Sequence, residues 1–462
     1  MRGWKTLPVL LVLLVLLFTA STSFAAGFRL PEAGAKAMGM GFAFTAQADD
    51  PSAIYFNPAG LTQLKGQNVM LGVTYARENG GEFTGTTPLT GGATVSETQT
   101  SLDFFIPNMY YTNTNASTGI AYGVGIFAPF GLGQEYNDRF TSIFRSAITK
   151  IDLQTVVVNP TIAFDVNEFL SLGAGIDFMW AKAKLARTSV INNSFPPANT
   201  PLNLYTLDLK GDGTTWGYNF GILLKPFTNF KVGFSYRSPF TLKIKDADAD
   251  ISNISSNTIA FPLGPIPAGA VPGTFPGVVK PASGAASGNS FSTKANTTLN
   301  LPATAALGIA YKLDRLTVEV DADWTFWHSW QRLDIDIRDQ GALLADINSS
   351  REWKDVVAFR IGAEYRVTDP LALRVGFVYD PTPVPAATMD AFLPDADRLN
   401  YMIGAGYKIG KVTIDGALMY VDKKDRTVNN QASLPFPSYG SGFNGTWTGD
   451  AWLAGLDVTY NF

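Results

Sequence analysis

The chain has 462 residues with 35 basic and 39 acidic side chains, a formal net charge of −4, no cysteine and a single histidine. Only 16% of residues are charged, against about 25% in a typical soluble domain, yet the mean hydropathy of +0.07 is too low for a bundle of membrane helices. These values exclude disulfides, zinc ribbons, iron–sulfur clusters and cysteine nucleophiles, and a pI near 5.2 argues against nucleic acid as a partner.

At the N-terminus, Arg2 and Lys5 precede an apolar run from Leu7 to Phe18, broken only by Pro8. Ser23-Phe24-Ala25 follows with small residues at the −3 and −1 positions of a cleavage site. Residues 1–25 therefore read as a signal peptide, with the mature chain starting at Ala26. The alternative, an uncleaved anchor, is disfavoured by a run too short to span a bilayer comfortably. Residues 26–66 are rich in Ala and Gly and show no period-two run. Asn57 as a cap, Pro58 at a first helical position and Ala59 behind it indicate short helices. Such a segment either hangs free as a tail or folds into the interior of whatever follows.

From residue 67 onward the pattern is period two. Leu316, Val318, Val320, Ala322, Trp324 and Phe326 alternate with Thr317, Glu319, Asp321, Asp323 and Thr325, and Trp452 to Phe462 behaves likewise. Aromatics such as Trp324, Tyr365, Tyr379, Tyr401, Tyr407, Trp452 and Tyr460 sit near strand ends, where a membrane-interface girdle would lie. Strands are predicted near 67–77, 101–112, 118–130, 150–164, 169–185, 215–224, 229–238, 297–311, 315–330, 355–366, 371–380, 398–407, 411–422 and 450–462. Short connections alternate with long ones at 78–100, 131–149, 186–214, 239–296, 331–354, 381–397 and 423–449. An even count with short turns on one side and long loops on the other describes an outer-membrane barrel with periplasmic termini. The predicted fold is all-β: a 14-stranded antiparallel transmembrane β-barrel over residues 67–462, with a small N-terminal helical hatch for its lumen. A barrel of this size leaves a wide interior that a compact small-residue segment could close.

The loop 239–296 is oddly apolar, with Phe261, Leu263, Ile266 and Phe275 among Pro and Gly. It is either a disordered linker or an exposed hydrophobic capture site. Enzymatic chemistry has little support. His328 stands among aromatics at a strand end and no GxSxG motif is present. The acidic row Glu319, Asp321 and Asp323 is expected to pair with Arg360 and Arg366 on the next strand, with a cation site as the alternative. No enzyme, metal or cofactor is expected.

The ordered motifs resemble the FadL family of outer-membrane transporters for long-chain fatty acids and other hydrophobic compounds. The resemblance spans Ala26-Gly27-Phe28-Arg29-Leu30, Asp49-Asp50, Asn57-Pro58-Ala59, Pro107-Asn108-Met109 and Glu135-Tyr136-Asn137-Asp138. It continues through Trp216 to Leu223, Trp353-Lys354-Asp355, Pro383-Val384-Pro385 and Leu393 to Arg398. It implies a hatch containing Asn57, Pro58 and Ala59, and an inward kink of the third strand at Pro129, Phe130 and Gly131 through which ligand leaves sideways into the membrane. It also implies a carboxylate partner at Arg187. Lys182 and Lys184 share one side of that strand; Arg187 has the opposite parity, at a point where the strand is expected to leave the barrel and parity to lapse. At the family's second basic position stands Ser349, with Arg351 two residues on. The expected function is passive uptake of hydrophobic molecules, most readily long-chain fatty acids. Uncharged aromatic hydrocarbons, and a general diffusion porin for hydrophilic solutes, are the alternatives. The expected setting is a monomer in outer-membrane lipid of a Gram-negative bacterium.

Overall fold

The structure, a computed structural model, describes residues 27–115, 117–192, 201–252, 259–261, 264–266, 290–338, 344–430 and 442–462. The expected signal peptide, Leu263 and Phe275 lie outside the described residues.

Fourteen strands form one closed antiparallel wall. They are β1 (Gly66–Glu78), β2 (Leu102–Asn115), β3 (Ile120–Phe127, resuming at Gly131–Glu135), β4 (Lys150–Asn167), β5 (Leu170–Asn192), β6 (Pro201–Phe227) and β7 (Phe230–Arg237, resuming at Phe240–Ser252). They continue with β8 (Phe291–Leu301 and Thr304–Leu313), β9 (Leu316–Thr325, resuming at Arg332–Ile337) and β10 (Ile347–Ser350 and Val356–Arg366). The last four are β11 (Leu371–Asp380), β12 (Arg398–Ile409), β13 (Val412–Val428) and β14 (Asn444–Asn461). Each pairs with its neighbours in sequence. Closure comes from β14 on β1, in register from Asn68↔Asn461 to Glu78↔Ala451. A small hairpin, Glu82–Thr86 with Val95–Thr98, extends the wall in the first long connection and pairs with β14.

Alternation builds this wall because successive side chains point to opposite faces. On β4 to β6 the outward set includes Ile162, Phe164, Ile176, Trp216 and Tyr218, all exposed, while Asn159, Thr161, Asp177 and Asn219 are buried inside. A belt of exposed large hydrophobics is untenable in water and natural in lipid. The expected strands are too short at their outer ends. β5 has 23 residues and β6 has 27, so strand replaces 186–192 and 201–214 of the loop expected at 186–214, and residues 193–200 lie outside the described residues. Strand extensions likewise take the ends of the loops expected at 239–296, 331–354 and 423–449. Beyond the bilayer the outward positions turn polar (Lys182 and Lys184 on β5, Lys243 and Lys245 on β7) and the contrast that betrays a strand disappears.

Residues 27–65 fill the lumen as a hatch. It holds α1 (Ala35–Gly39), α2 (Ala53–Phe56) and a 3-10 turn (Pro58–Gln63). Its seat is made of glycines at inward positions around the wall. A methyl group on Gly173 or Gly221 would meet Pro58 or Asn57, one on Gly233 would meet Thr45, one on Gly362 would meet Met40, and one on Gly376 would meet Gly41. Only a side chain reduced to hydrogen lets the two backbones approach so closely. Gly376→Ala is therefore expected to push the hatch off its seat, at about 1–3 kcal/mol for an overpacked contact, while leaving the barrel closed. Limited proteolysis of folded protein checks this: faster cleavage within residues 27–65 is the expected result.

Candidate functional site

The hatch is held by carboxylates that accept from its backbone. Asp321 Oδ2 accepts from the amides of Phe44 (3.0 Å) and Thr45 (3.1 Å), and Glu319 from those of Ala46 (2.6 Å) and Gln47 (2.8 Å). Asp457 accepts from the Ala35 amide at the start of α1. The acidic row is thus mainly a clamp. Only Asp323 pairs as expected, with Arg360 at 2.7 Å and also with Arg29 at 2.6 Å; Arg366 lies 3.9 Å from Glu364 instead. Asn57 ties the hatch internally and to the wall. Its Oδ1 caps the turn by accepting from Ala59 N (3.1 Å), with Pro58 in first position, and its Nδ2 donates to Thr45 O (2.7 Å) and Ile222 O (3.0 Å) on β6.

The wall itself is broken between β2 and β3. Pairing of these strands runs from Asn115↔Ile120 to Met109↔Ile126 and stops. On its other side β3 pairs with β4 as far as Phe127↔Val157 and again from Gly131↔Gln154. Three residues on β3, Ala128, Pro129 and Phe130, therefore oppose two on β4, Thr155 and Val156, a bulge that re-aims the strand. Each flank of the gap carries a proline, Pro107 and Pro129, so neither strands an N–H there. The hatch covers the gap from inside: Leu30 N donates to Pro129 O (2.8 Å) and Gly131 N to Phe28 O (2.9 Å). Leu30, Ile106 and Ala128 pack together, all buried, and bridge the two flanks with apolar contact. Pro107, which sequence reasoning placed only as part of a motif, belongs to this gap.

Above the hatch lies an apolar cavity of about 70 Å³, lined by residues including Phe28, Leu153, Leu185, Leu209, Trp330 and Phe392. Phe28 forms its floor, inside a box of Trp327, Trp330 and Trp353 with ring centroids 4.7, 5.1 and 5.6 Å away. A second cavity, about 50 Å³, shares Leu185, Leu333 and Phe392 with the first and is lined by Arg187, Ser349 and Arg351. The structure thus brings the two arginines together, both buried. The parity of β5 does not lapse: its ladder with β6 runs unbroken through Arg187↔Leu207, and Arg187 follows inward Met179 and Ala181. Lys182 and Lys184 face outward. Arg351 donates to Asp390 (2.9 Å) and lies over the Phe392 ring at 4.3 Å. Overhead, Tyr136 donates to Ala391 O (2.9 Å), and burial pushes its hydroxyl well above the usual range. Phe261 and Ile266 belong to a short hairpin, Ile259–Phe261 with Gly264–Ile266. His328 is exposed on the rim, 2.9 Å from Asp355.

The profile of the family described as "Outer membrane protein transport protein (OMPP1/FadL/TodX)" matches residues 16–462. The chain belongs to this family. The long-chain fatty acid transport protein of Escherichia coli O6:H1 is 26% identical over 483 residues, covering 99% of each chain. Outer membrane protein P1 of Haemophilus influenzae is 26% identical over 490 residues, covering 97% of each. A Pseudomonas aeruginosa FadL homologue superposes with a TM-score of 0.74 at 22% identity, covering 95% of this chain and 100% of that one. The Ralstonia pickettii toluene transporter TbuX gives 0.63 at 19% identity, covering 93% and 98%. As a FadL-family barrel the protein resides in the outer membrane and transports hydrophobic compounds. Sequence reasoning missed the glycine seats and the amide clamp; the signal for the first was present as glycines at inward parity on strand after strand.

Proposed function

We propose that this FadL-family protein takes up long-chain fatty acids passively and releases them sideways into the membrane through the gap between β2 and β3. The observation that carries the reading is an apolar cavity that shares Leu185, Leu333 and Phe392 with one lined by Arg187 and Arg351. The first suits an alkyl tail; the second suits a carboxylate, which needs a charged partner once it leaves water. An apolar cavity of about 150 Å³ holds one benzene, so the upper cavity widens when its ligand enters. Phe28 links that event to the gap, since its side chain floors the cavity and its carbonyl holds Gly131. Apolar residues of the 239–296 connection, including Phe261, Leu263, Ile266 and Phe275, would supply first capture.

Arg187→Ala is expected to weaken oleate binding by about 1.5–3 kcal/mol, the range for hydrogen bonds to charged groups, and to leave alkane binding nearly unchanged. Fluorescent fatty-acid displacement measures both. Equal losses for both ligands would mean that Arg187 shapes the pocket and does not read a head group. A second reading, uptake of uncharged aromatic hydrocarbons by the same route, is favoured by Arg351 already being paired with Asp390 and by the fold shared with a toluene transporter. Toluene displacing the probe as well as oleate does would select it. An ohmic conductance in liposomes carrying the wild-type protein would point instead to a diffusion porin.

A further inference from the structure

A third cavity, about 30 Å³, lies between hatch and wall and is lined by Pro129 and Phe130 of the gap. Its charged lining is Arg29, Arg237, Arg360 and a single carboxylate, Asp323. All are nearly buried, with side-chain exposures of 12%, 9%, 7% and 1%. Asp323 is shared between Arg29 (2.6 Å) and Arg360 (2.7 Å). Arg237 pairs with Asp177 behind the lining and lies over the rings of Tyr55 and Phe127. These three guanidinium groups share salt bridges with Asp323 and Asp177. Asp321, Asp380 and Glu32 also act electrostatically on the group from outside the cavity lining. Among the described residues Arg360 Nε has no hydrogen-bond partner. Arg360 also donates to Phe42 O of the hatch (3.3 Å); burying three guanidinium groups around one small cavity is expensive, and these hatch contacts leave the Arg360 Nε over.

We propose that the Arg29–Arg237–Arg360 cavity is a transient site for the carboxylate of an amphiphile, a second stop between the upper pocket and the gap. This rests on the fatty-acid reading above. A tail entering the gap draws its head group through the lumen, where a carboxylate without a partner would stall; a guanidinium offers it a paired fork of donors. Position adds a consequence. Arg29 is on the segment that covers the gap, bridged through its backbone to Phe130, so a carboxylate that competes with Asp323 for Arg29 also loosens the cover. The class of ligand is a long-chain carboxylate, and an alkane or arene gains nothing here.

Arg360→Gln removes one of the three charges, together with its contacts to Asp323 and Phe42 O, while leaving the pairs Arg29–Asp323 and Arg237–Asp177; the toluene arm controls for any loosening of the hatch. In proteoliposomes of full-length mature protein, oleate binding is expected to stay within about twofold of wild type, oleate delivery to the bilayer to fall about tenfold, the effect of about one lost charged hydrogen bond, and toluene delivery to hold. Arg360→Lys, which keeps the charge, is expected to restore most oleate delivery. Ala306→Asp, which adds a carboxylate to the same lining, is expected to reproduce the Arg360→Gln defect without removing any arginine. Unchanged oleate delivery in both Arg360→Gln and Ala306→Asp, or equal loss for oleate and toluene, overturns the proposal. Failure of the fatty-acid reading looks different: wild-type protein would not bind oleate, or Arg187→Ala would not weaken it.

Discussion

Oxidised Ile106→Cys/Ala128→Cys protein is expected to bind oleate as wild type does and to deliver none of it to the bilayer. The two residues stand on opposite flanks of the gap and already touch through the Leu30 cluster. The chain has no other cysteine, so any disulfide formed is the engineered one. Closing the gap leaves the upper cavity and its arginines untouched, which is why binding and delivery should separate. Reduction should restore delivery in the same sample, excluding misfolding as the cause. Full delivery by the oxidised form would mean that ligand leaves downward, past a displaced hatch.

Glu319→Ala/Asp321→Ala protein is expected to fold as a barrel and to conduct small ions more readily than the wild type. The pair accepts four backbone amides of the hatch. Hydrogen bonds to a charged group contribute about 1.5–3 kcal/mol each, less in sum where they share one carboxylate, and the orphaned amides would be left in a poorly solvated lumen. Single-channel recording in planar bilayers reads the outcome. A double variant that keeps heat-modifiable gel mobility yet conducts no more than the wild type would show that the glycine seats and the Asn57 bonds hold the hatch unaided.

The barrel was legible in the sequence because lipid and lumen impose opposite chemistry on alternate residues, and Leu316 to Thr325 or Trp452 to Phe462 record it directly. Strand length was not, because above the membrane both faces of β5 and β6 meet polar surroundings and Lys182, Lys184 and Arg187 look alike in sequence. The ladder decides that Arg187 faces inward. The hatch could be read as short helices from Asn57 and Pro58, but free tail and lumenal plug differ only in contacts made far along the chain. Glu319 and Asp321 stood out as a row of acids without revealing their partners, since the partners are backbone amides, which every residue type carries. The paired prolines of the gap, Pro107 and Pro129, are each unremarkable alone and acquire meaning only once β2 and β3 are neighbours.

A closed barrel has no edge, and that is its protection against zipping onto a second copy. The gap beside β3 reinstates one: carbonyl and amide groups at Pro129 and Gly131 that face no strand of the wall. Phe28 to Leu30 bind those groups as an incoming strand would. The same short segment that covers the proposed exit thereby occupies the place where another barrel could add itself by strand pairing. Any event that lifts the segment uncovers both at once, so the open state must be brief or filled by lipid-like cargo if copies crowded in one membrane are to stay separate.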